Sequence, residues 1–220
     1  MDLLKLAICV PHMGTVKALF AQSLAELIAH SLSVDLHIND KPVKLRIETL
    51  FSGEGTLDLK RNRLALASRQ RGSDLTLWLD SDHTFPPQAF ITLLSRDRPL
   101  IGCNYPTRDA PGKARPTAMM LDREPVETTQ GKAEGRLIEE VVTIGFGLVL
   151  MQTAILDRIP QPWFSTRVAP DGDLECGEDV HFCNQARAAG IPVFVDHALS
   201  WEVGHLTELP LRFRDLTDGR

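Results

Sequence analysis

Apolar and polar positions along the first half of the chain follow two alternating patterns, one typical of strands and one typical of helices. Short apolar or alternating runs predict strands at 4–10, 44–51, 75–79 and 99–103. Apolar residues at helical spacing predict helices at 16–32 and 57–71, and Pro86-Pro87 predicts a further helix that ends near residue 95. This β-α-β-α-β-α-β order predicts an α/β fold with a mainly parallel sheet, whose ligands bind at the carboxyl ends of the strands.

The second half of the chain has a less regular pattern. A loop rich in proline, glycine and arginine at 104–116 precedes predicted strands at 117–121, 137–144, 145–151 and 192–196 and predicted helices at 152–159 and 178–189. The charged stretch 122–135 is predicted to be mobile. We therefore expect one domain over 1–220, with a Rossmann-like nucleotide-binding half at about 1–104, a mixed acceptor-binding half at about 105–206 and a polar tail at 207–220.

Composition narrows the class of protein. The chain has 220 residues, 43% of them hydrophobic and 24% charged, as in ordinary globular proteins. Its longest apolar run, Thr143–Met151, is far shorter than the roughly 18–20 residues that cross a bilayer, so no membrane span is expected. The amino terminus lacks the features of a signal peptide, and the few, irregularly spaced cysteines favour reduced thiols, so we expect a cytoplasmic protein. A net charge of −5 argues against a broad nucleic-acid-binding face.

Asp80-Ser81-Asp82 is the first candidate site, because it directly follows the predicted strand 75–79. Two carboxylates that converge at a strand end repel each other unless a cation lies between them, and Mg²⁺ or Mn²⁺ suits carboxylate and phosphate oxygens. A structural alternative is an Asx-type turn in which Asp82 helps to cap the next helix.

Several segments together resemble the core of GT-A glycosyltransferases, particularly the large inverting family 2. They are Arg61-Asn-Arg-Leu-Ala65, Asp74–Pro87 with its Asp-x-Asp motif, Ile101–Pro106, Gly145–Met151, Gly177–Cys183 and Val203-Gly-His205. Their order and spacing match over about residues 3–206, which is more specific than any one motif. The resemblance implies a GT-A fold and a metal-dependent enzyme that transfers a sugar from a nucleotide-sugar donor, most simply a UDP- or GDP-sugar, to an acceptor hydroxyl.

The resemblance also implies roles for the acidic pair Glu178-Asp179. In inverting members the aspartate of this motif is the general base that takes the acceptor's proton, so Asp179 is the expected base. Glu178 is then an acceptor hydrogen-bonding group or a second candidate base. Acidic residues also favour the first turn of a helix for purely electrostatic reasons, which is the structural alternative.

By the same resemblance, Asp80, Asp82 and His205 are expected to hold the metal, with His197 as the competing histidine. A neutral imidazole beside carboxylates suits Mn²⁺ better than Mg²⁺. His83 and His181 are expected to be partly exposed. A zinc site at Cys176, His181 and Cys183 is disfavoured by the spacing of these residues.

Nucleotide and acceptor contacts complete the expected site. The nucleotide is expected to meet Pro11, His12, Arg61, Asn62, Asp80 and Ser81, with Glu48 or Glu54 as candidate readers of a uracil base. The acceptor is expected to meet Gly145, Phe146, Gly147 and Trp201, because glycines allow the backbone to approach a sugar and tryptophan can stack on one. For the glycine turn the alternative is a β-bulge, and for Trp163 and Trp201 it is core packing. The acceptor itself, whether a glycan, a protein or a modified DNA base, cannot be read from the sequence.

The sequence also allows three other functional classes. Asp80-Ser-Asp-His-Thr84 also fits the motif of haloacid-dehalogenase phosphatases, in which Asp80 would be a phosphoryl nucleophile and Asp82 a general acid. That motif normally lies on the first strand, whereas two predicted strands precede it here. A non-catalytic nucleotide- or glycan-binding module is the second alternative, and a sugar-nucleotide pyrophosphorylase, which needs a better phosphate loop than Pro11–Thr15, is the third.

Overall fold

The computed structural model describes residues 2–108, 114–121 and 124–207 and the backbone of 210–211. The strands are β1 (Asp2–Pro11), β2 (Leu36–Ile38), β3 (Lys41–Ser52), β4 (Leu75–Leu79), β5 (His83–Thr84), β6 (Leu100–Gly102), β7 (Ile138–Val141), β8 (Leu148–Gln152), β9 (Arg167–Val168), β10 (Leu174–Cys176), β11 (Val193–Asp196), β12 (Gly204–Leu206) and β13 (Pro210–Leu211). The helices are α1 (Ala18–Ser33), α2 (Leu57–Gln70), α3 (Ala89–Ser95), α4 (Gln130–Glu134), α5 (Ile155–Arg158), α6 (Glu178–Ala188) and α7 (His197–Glu202).

One large mixed sheet organises the domain. Its eight strands lie in the order β2-β3-β1-β4-β8-β6-β11-β7. β1 pairs in parallel with β3 and β4, and β6 pairs in parallel with β11, as expected of an α/β fold. β8 lies between β4 and β6 and runs antiparallel to both, so the sheet is more mixed than the sequence pattern predicts.

Two apolar cores cover the two faces of this sheet, as the period-2 geometry of a strand requires. Along β1, Leu6, Ile8 and Val10 point to a core that contains Phe20 of α1 and Phe90 of α3. The alternate residues of β1 join a second core, which contains side chains of α2 and α6. Helices on both faces therefore hold the strand ends at fixed positions, and α2 and α6 bring their polar residues to the same side of the sheet.

A second, three-stranded sheet joins distant parts of the chain. β5 pairs antiparallel with β12, with His83 opposite His205, and β12 also pairs with β13. A separate hairpin of β9 and β10 leads into α6. Through these pairings the segment that follows β4 meets the end of the described chain.

Several element predictions need correction. Residues 117–121 form only isolated bridges, Gly145–Gly147 is a loop before β8 rather than strand, and Pro86-Pro87 precede α3, which begins at Ala89. The stretch 122–135, predicted to be mobile, contains α4, and its residues 122–123 lie outside the described part, as does most of the predicted tail. In the part of the chain that the structure describes, no helix is long and apolar enough to cross a membrane.

Candidate functional site

The Asp80-Ser81-Asp82 motif forms a tight turn at the carboxyl end of β4. The backbone N–H of Asp80 donates to Gly147 O, and the N–H of His83 donates back to Asp80 O at 3.2 Å. Ser81 O accepts from the N–H of Lys17, just before α1. The turn is thus held from both sides, and its two carboxylates point in different directions to different partners.

Arg61 of α2 is the buried centre of the first half of the site, with a side chain only 2% exposed. Its Nη2 donates to both carboxylate oxygens of Asp80, at 3.0 and 3.2 Å, and its Nη1 donates to Glu178 Oε1 at 2.5 Å. The guanidinium also lies over the ring of Phe146, at 5.5 Å from the ring centroid. Such charge-assisted pairs compensate the cost of burying a cation. Arg61 therefore ties the end of β4 to the start of α6, rather than lying free for a phosphate.

Glu178 and Asp179 occupy the first turn of α6, as predicted. Asp179 Oδ1 accepts from the N–H of Val180 at 2.7 Å. Burial raises the pKa of Asp179 above its ordinary value, and the attraction of Arg61 offsets only part of that rise. The pKa of Glu178 is also raised by burial against the opposing effect of Arg61. A carboxyl whose pKa is shifted toward neutrality is suited to accept a proton.

The second half of the site is a cluster of Asp82, His83 and His205, the only group of potential metal ligands of this kind among the described residues. Asp82 Oδ1 is 3.1 Å from His83 Nδ1, and Asp82 Oδ2 is 3.7 Å from His205 Nε2. The two imidazoles stack, with ring centroids 4.3 Å apart. Arg108, more than half exposed, reaches Asp82 Oδ2 at 2.9 Å from the solvent side.

The donors of this cluster fit a divalent cation. His205 Nδ1 is 2.9 Å from Pro106 O, a carbonyl that only accepts, so Nδ1 carries the proton and Nε2 keeps its lone pair toward Asp82. Burial tends to raise the pKa of Asp82, but the neighbouring imidazoles of His205 and His83 outweigh it and hold that pKa far below its usual range. An ionised carboxylate and a neutral imidazole nitrogen are donors that Mn²⁺ accepts. A possible metal-binding cluster is therefore present.

The burial of His83 and the position of His197 differ from what the sequence predicts. His83, expected to be partly exposed, is fully buried, and its Nε2 has no hydrogen-bond partner among the described residues. His197, the competing ligand, lies outside the cluster: its ring nitrogens are each 2.9 Å from an oxygen, one from Thr128 and one from Glu139. Asp80 also lies outside the cluster and is paired with Arg61.

The residues of the disfavoured zinc site do not form a group either. Cys183 is buried with its Sγ 3.8 Å from Ile144 O, and His181 contacts Gln185. They are absent from the potential metal-binding groups in the part of the chain that is described.

The other expected nucleotide-binding residues lie at the carboxyl end of β1 and in the second turn of α2. Pro11 ends β1, and the N–H of His12 donates to Ser52 O at the end of β3. The amide of Asn62 donates to Phe164 O and accepts from the N–H of Phe164, so Asn62 braces a loop. Of the candidate uracil readers, Glu48 pairs with Arg71, and Glu54 is exposed.

The glycine turn accommodates the protein itself. A Cβ on Gly145 would lie 2.3 Å from Tyr105 Oη, and one on Gly147 would lie 2.6 Å from the imidazole of His83. Phe146 is 1% exposed and packs among Trp78, Phe164 and Phe182. Gly145 and Gly147 were expected to let the backbone approach an acceptor sugar. In the structure they make room for the side chains of Tyr105 and His83 instead. Trp163 is a core residue, and Trp201 on α7 is partly exposed.

Three buried residues of this region have no role that the sequence pattern predicts. They are His83, Tyr105 and Lys60. Tyr105 Oη accepts from the N–H of Gly147, and its ring contacts both imidazoles of the cluster. Lys60 is 2% exposed on α2. A local pattern does not reveal these positions, because their burial comes from partners far away along the chain.

Comparison with known proteins gives a fold but no family. No protein-family model matches the chain, and no curated protein sequence matches it. Among solved structures, the crystal structure of A197 from STIV matches with a TM-score of 0.54 and 17% sequence identity, over 93% of this chain and 86% of that one. At this identity the similarity describes the fold alone, so this chain shares a mixed α/β architecture with A197 over nearly its whole length.

Proposed function

We propose that this protein is a metal-dependent glycosyltransferase of the GT-A type, resembling family 2, which moves a sugar from a nucleotide-sugar to an acceptor hydroxyl with inversion. One observation carries the proposal. Arg61 joins the carboxylate at the end of β4 to the acidic first turn of α6, next to a turn whose other carboxylate lies beside His205. A candidate base and a candidate metal-binding cluster are thereby held at one end of one sheet.

Asp82 and His205 would hold the divalent cation, through a carboxylate oxygen and Nε2. When bound, such a cation stabilises the negative charge that develops on a departing nucleoside diphosphate. His83 orients Asp82 through its Nδ1 contact, and Pro106 O orients His205. These partners fix the ligand geometry before any substrate binds.

Asp179 is the proposed general base. It takes the proton of the acceptor hydroxyl as the new bond to the anomeric carbon forms and the bond from that carbon to the diphosphate oxygen breaks. The raised pKa of Asp179 increases its proton affinity relative to an exposed aspartate. Arg61 positions Glu178 beside it. The acceptor oxygen attacks the anomeric carbon on the side opposite the departing diphosphate in a single displacement, so the configuration of the sugar is inverted.

The phosphatase alternative is less well supported by the geometry. A phosphoryl nucleophile needs a free carboxylate oxygen on Asp80, and both oxygens of Asp80 accept from the buried guanidinium of Arg61. β4 is also the fourth strand along the chain. A non-catalytic nucleotide- or glycan-binding module keeps the same contacts and is separated from an enzyme only by turnover.

The test is release of nucleoside diphosphate from a panel of nucleotide-sugars, with Mn²⁺, with Mg²⁺ or with EDTA. Turnover with one donor, lost in EDTA and reduced about 10²–10⁴-fold in Asp179→Asn, supports the proposal. Glu26→Gln, on the exposed surface of α1, is the control. Product stereochemistry by NMR checks inversion. A phosphoenzyme on Asp80 would establish the phosphatase instead, and metal-dependent binding without turnover would establish the binding module.

A further inference from the structure

Tyr105 lies where the two halves of the candidate site meet, between the Arg61 half and the His205 half. It is the one tyrosine of the chain and is 5% exposed. Its backbone is held by Thr117: the N–H of Thr117 donates to Tyr105 O at 3.2 Å, and the N–H of Tyr105 donates to Thr117 Oγ1 at 3.3 Å. A side chain that is enclosed and anchored in this way is held in one orientation, so its ring and its hydroxyl each have fixed partners.

The phenol oxygen holds the turn against which Asp80 lies. The N–H of Gly147 donates to Tyr105 Oη at 2.8 Å, and Gly147 O accepts from the N–H of Asp80 at 3.1 Å. One backbone group of Gly147 is therefore bonded to the phenol and the other to the end of β4. The fit is close, because a Cβ on Gly145 would clash with Oη and one on Gly147 would lie 2.7 Å from Cζ. The hydroxyl thus helps to fix Asp80 and, through Arg61, the first turn of α6.

The ring of Tyr105 packs against both imidazoles of the candidate metal cluster. Its centroid lies 4.4 Å from that of His83 and 5.6 Å from that of His205, in edge-to-face geometry in both cases. The carbonyl oxygen of the next residue, Pro106, accepts from His205 Nδ1. His205 is therefore oriented by the ring of Tyr105 and by the carbonyl that follows it in the chain. These contacts restrict the plane of the imidazole, and that plane directs the lone pair of Nε2.

We propose that Tyr105 is a positioning residue that joins the two halves of the site: its ring orients the imidazoles of the metal cluster, and its hydroxyl holds the Gly147 turn that fixes Asp80. This inference rests on the proposed function, because its readouts are metal binding and turnover of that reaction. Tyr105 acts through Gly147, His83 and His205 and takes no direct part in bond making.

Two substitutions separate the hydroxyl from the ring. Tyr105→Phe keeps the ring and leaves the N–H of Gly147 without its acceptor. The Mn²⁺ affinity of this variant, measured by calorimetry, should stay within about 2-fold of the wild-type value, because the contacts to both imidazoles remain. Its kcat should fall about 10–100-fold, with little change in the KM for the nucleotide-sugar. Tyr105→Leu also removes the ring and should in addition weaken Mn²⁺ binding about 10-fold or more.

A matched control separates positioning from a simple loss of stability. Thr76 is fully buried near the start of β4, and its Oγ1 lies 2.7 Å from Thr153 Oγ1. Thr76→Val removes a buried hydroxyl at the far end of the strand that leads to Asp80. It should lower the Tm about as much as Tyr105→Phe does, yet leave kcat within about 2-fold of the wild-type value. Each variant is assayed well below its own Tm, so that unfolded protein does not lower the measured rate.

Three results would overturn the inference while leaving the proposed function intact. They are a full kcat in Tyr105→Phe, an equal loss of kcat in Thr76→Val, and an unchanged Mn²⁺ affinity in Tyr105→Leu. In each case the wild-type protein still binds metal and turns over its donor. Absence of both Mn²⁺ binding and turnover in the wild-type protein would instead overturn the proposed function, and this inference with it.

Discussion

Two buried imidazoles lie beside carboxylates in this protein, and the comparison between them separates a candidate metal ligand from a member of a structural hydrogen-bond network. His197 has both ring nitrogens 2.9 Å from oxygens of Thr128 and Glu139, and Glu139 in turn accepts from Lys132. His205 has only Nδ1 bonded, to Pro106 O, and its Nε2 lies 3.7 Å from Asp82, too far for a good hydrogen bond. Both ring nitrogens of His197 are therefore hydrogen-bonded, whereas Nε2 of His205 remains available to a metal ion. The sequence around each histidine does not reveal this difference.

The largest effect that tests this difference is on metal affinity. Asp82→Asn and His205→Ala should each weaken Mn²⁺ binding at least about 100-fold, because each removes a proposed ligand atom. His197→Leu should leave the affinity within about 2-fold, because its imidazole lies outside the cluster. Calorimetric titration of Mn²⁺ measures all three. A strong loss of metal affinity in His197→Leu would break the distinction between the two histidines.

The next largest effect is on the free energy of unfolding, where His197→Leu should cost more than His205→Ala. His197→Leu leaves the Thr128 hydroxyl and the Glu139 carboxylate without their shared partner, so we expect a loss of about 2–3 kcal/mol in the free energy of unfolding. In His205→Ala, without metal, the loss should be smaller, since one hydrogen bond to Pro106 O disappears. Urea denaturation of the metal-free proteins measures both. Equal losses would mean that His205 is as structural as His197.

Metal should also stabilise the intact cluster. At a free Mn²⁺ concentration about 100 times the dissociation constant, linkage gives about 2.7 kcal/mol, or about 5–10 °C in Tm for a chain of this size. The same concentration should leave the Tm of Asp82→Asn nearly unchanged, while His197→Leu should show the full shift from a lower starting point. Thermal scans with Mn²⁺ and with EDTA give the comparison. A full shift in Asp82→Asn would place the metal elsewhere.

The smallest effect concerns pH. Burial lowers the pKa of His197 below the ordinary histidine value of about 6.5, with Glu139 partly opposing the shift. The unfolded chain therefore binds this proton more readily than the folded one, so stability is lost as pH falls through about 6.5. The slope is at most about 1.4 kcal/mol per pH unit. Metal-free His197→Leu should show a flatter fall between about pH 7.5 and pH 5.5. An unchanged slope would mean that His197 does not titrate differently on folding.

The sequence pattern predicts the parts of the fold whose signals are local. β4, α2 and α6 lie where the sequence pattern predicts them, because β4 is a short apolar run, α2 has apolar residues at helical spacing and α6 begins with an acidic first turn. The insertion of β8 between β4 and β6 could not be predicted, since a short apolar run does not specify strand order or direction. α4 has five residues and α7 has six, which is too short for a helical period to show in the sequence.

For the candidate site, too, the sequence predicts only what a local signal encodes. The acidic residues at the end of β4 and the start of α6 are recognisable from position and motif. The partners that decide what these acids do are recognisable only in three dimensions. His83 looks like an exposed residue after an acidic turn, but the pairing of β5 with β12 buries it against His205. The sequence predicts that Gly147 contacts an acceptor, but in the structure Gly147 makes room for the imidazole of His83.

The pairing of β5 with β12 has a consequence for the order in which the protein matures during synthesis. His83 and Asp82 leave the ribosome long before His205, and β12 lies 120 residues beyond Thr84 at its first paired position. β1, β3 and β4 pair with one another early in the chain, whereas the candidate metal cluster lacks His205 until β12 is released. A nascent chain therefore holds Asp82 and His83 without their third partner, and the candidate metal cluster is complete only after β12 has been synthesised.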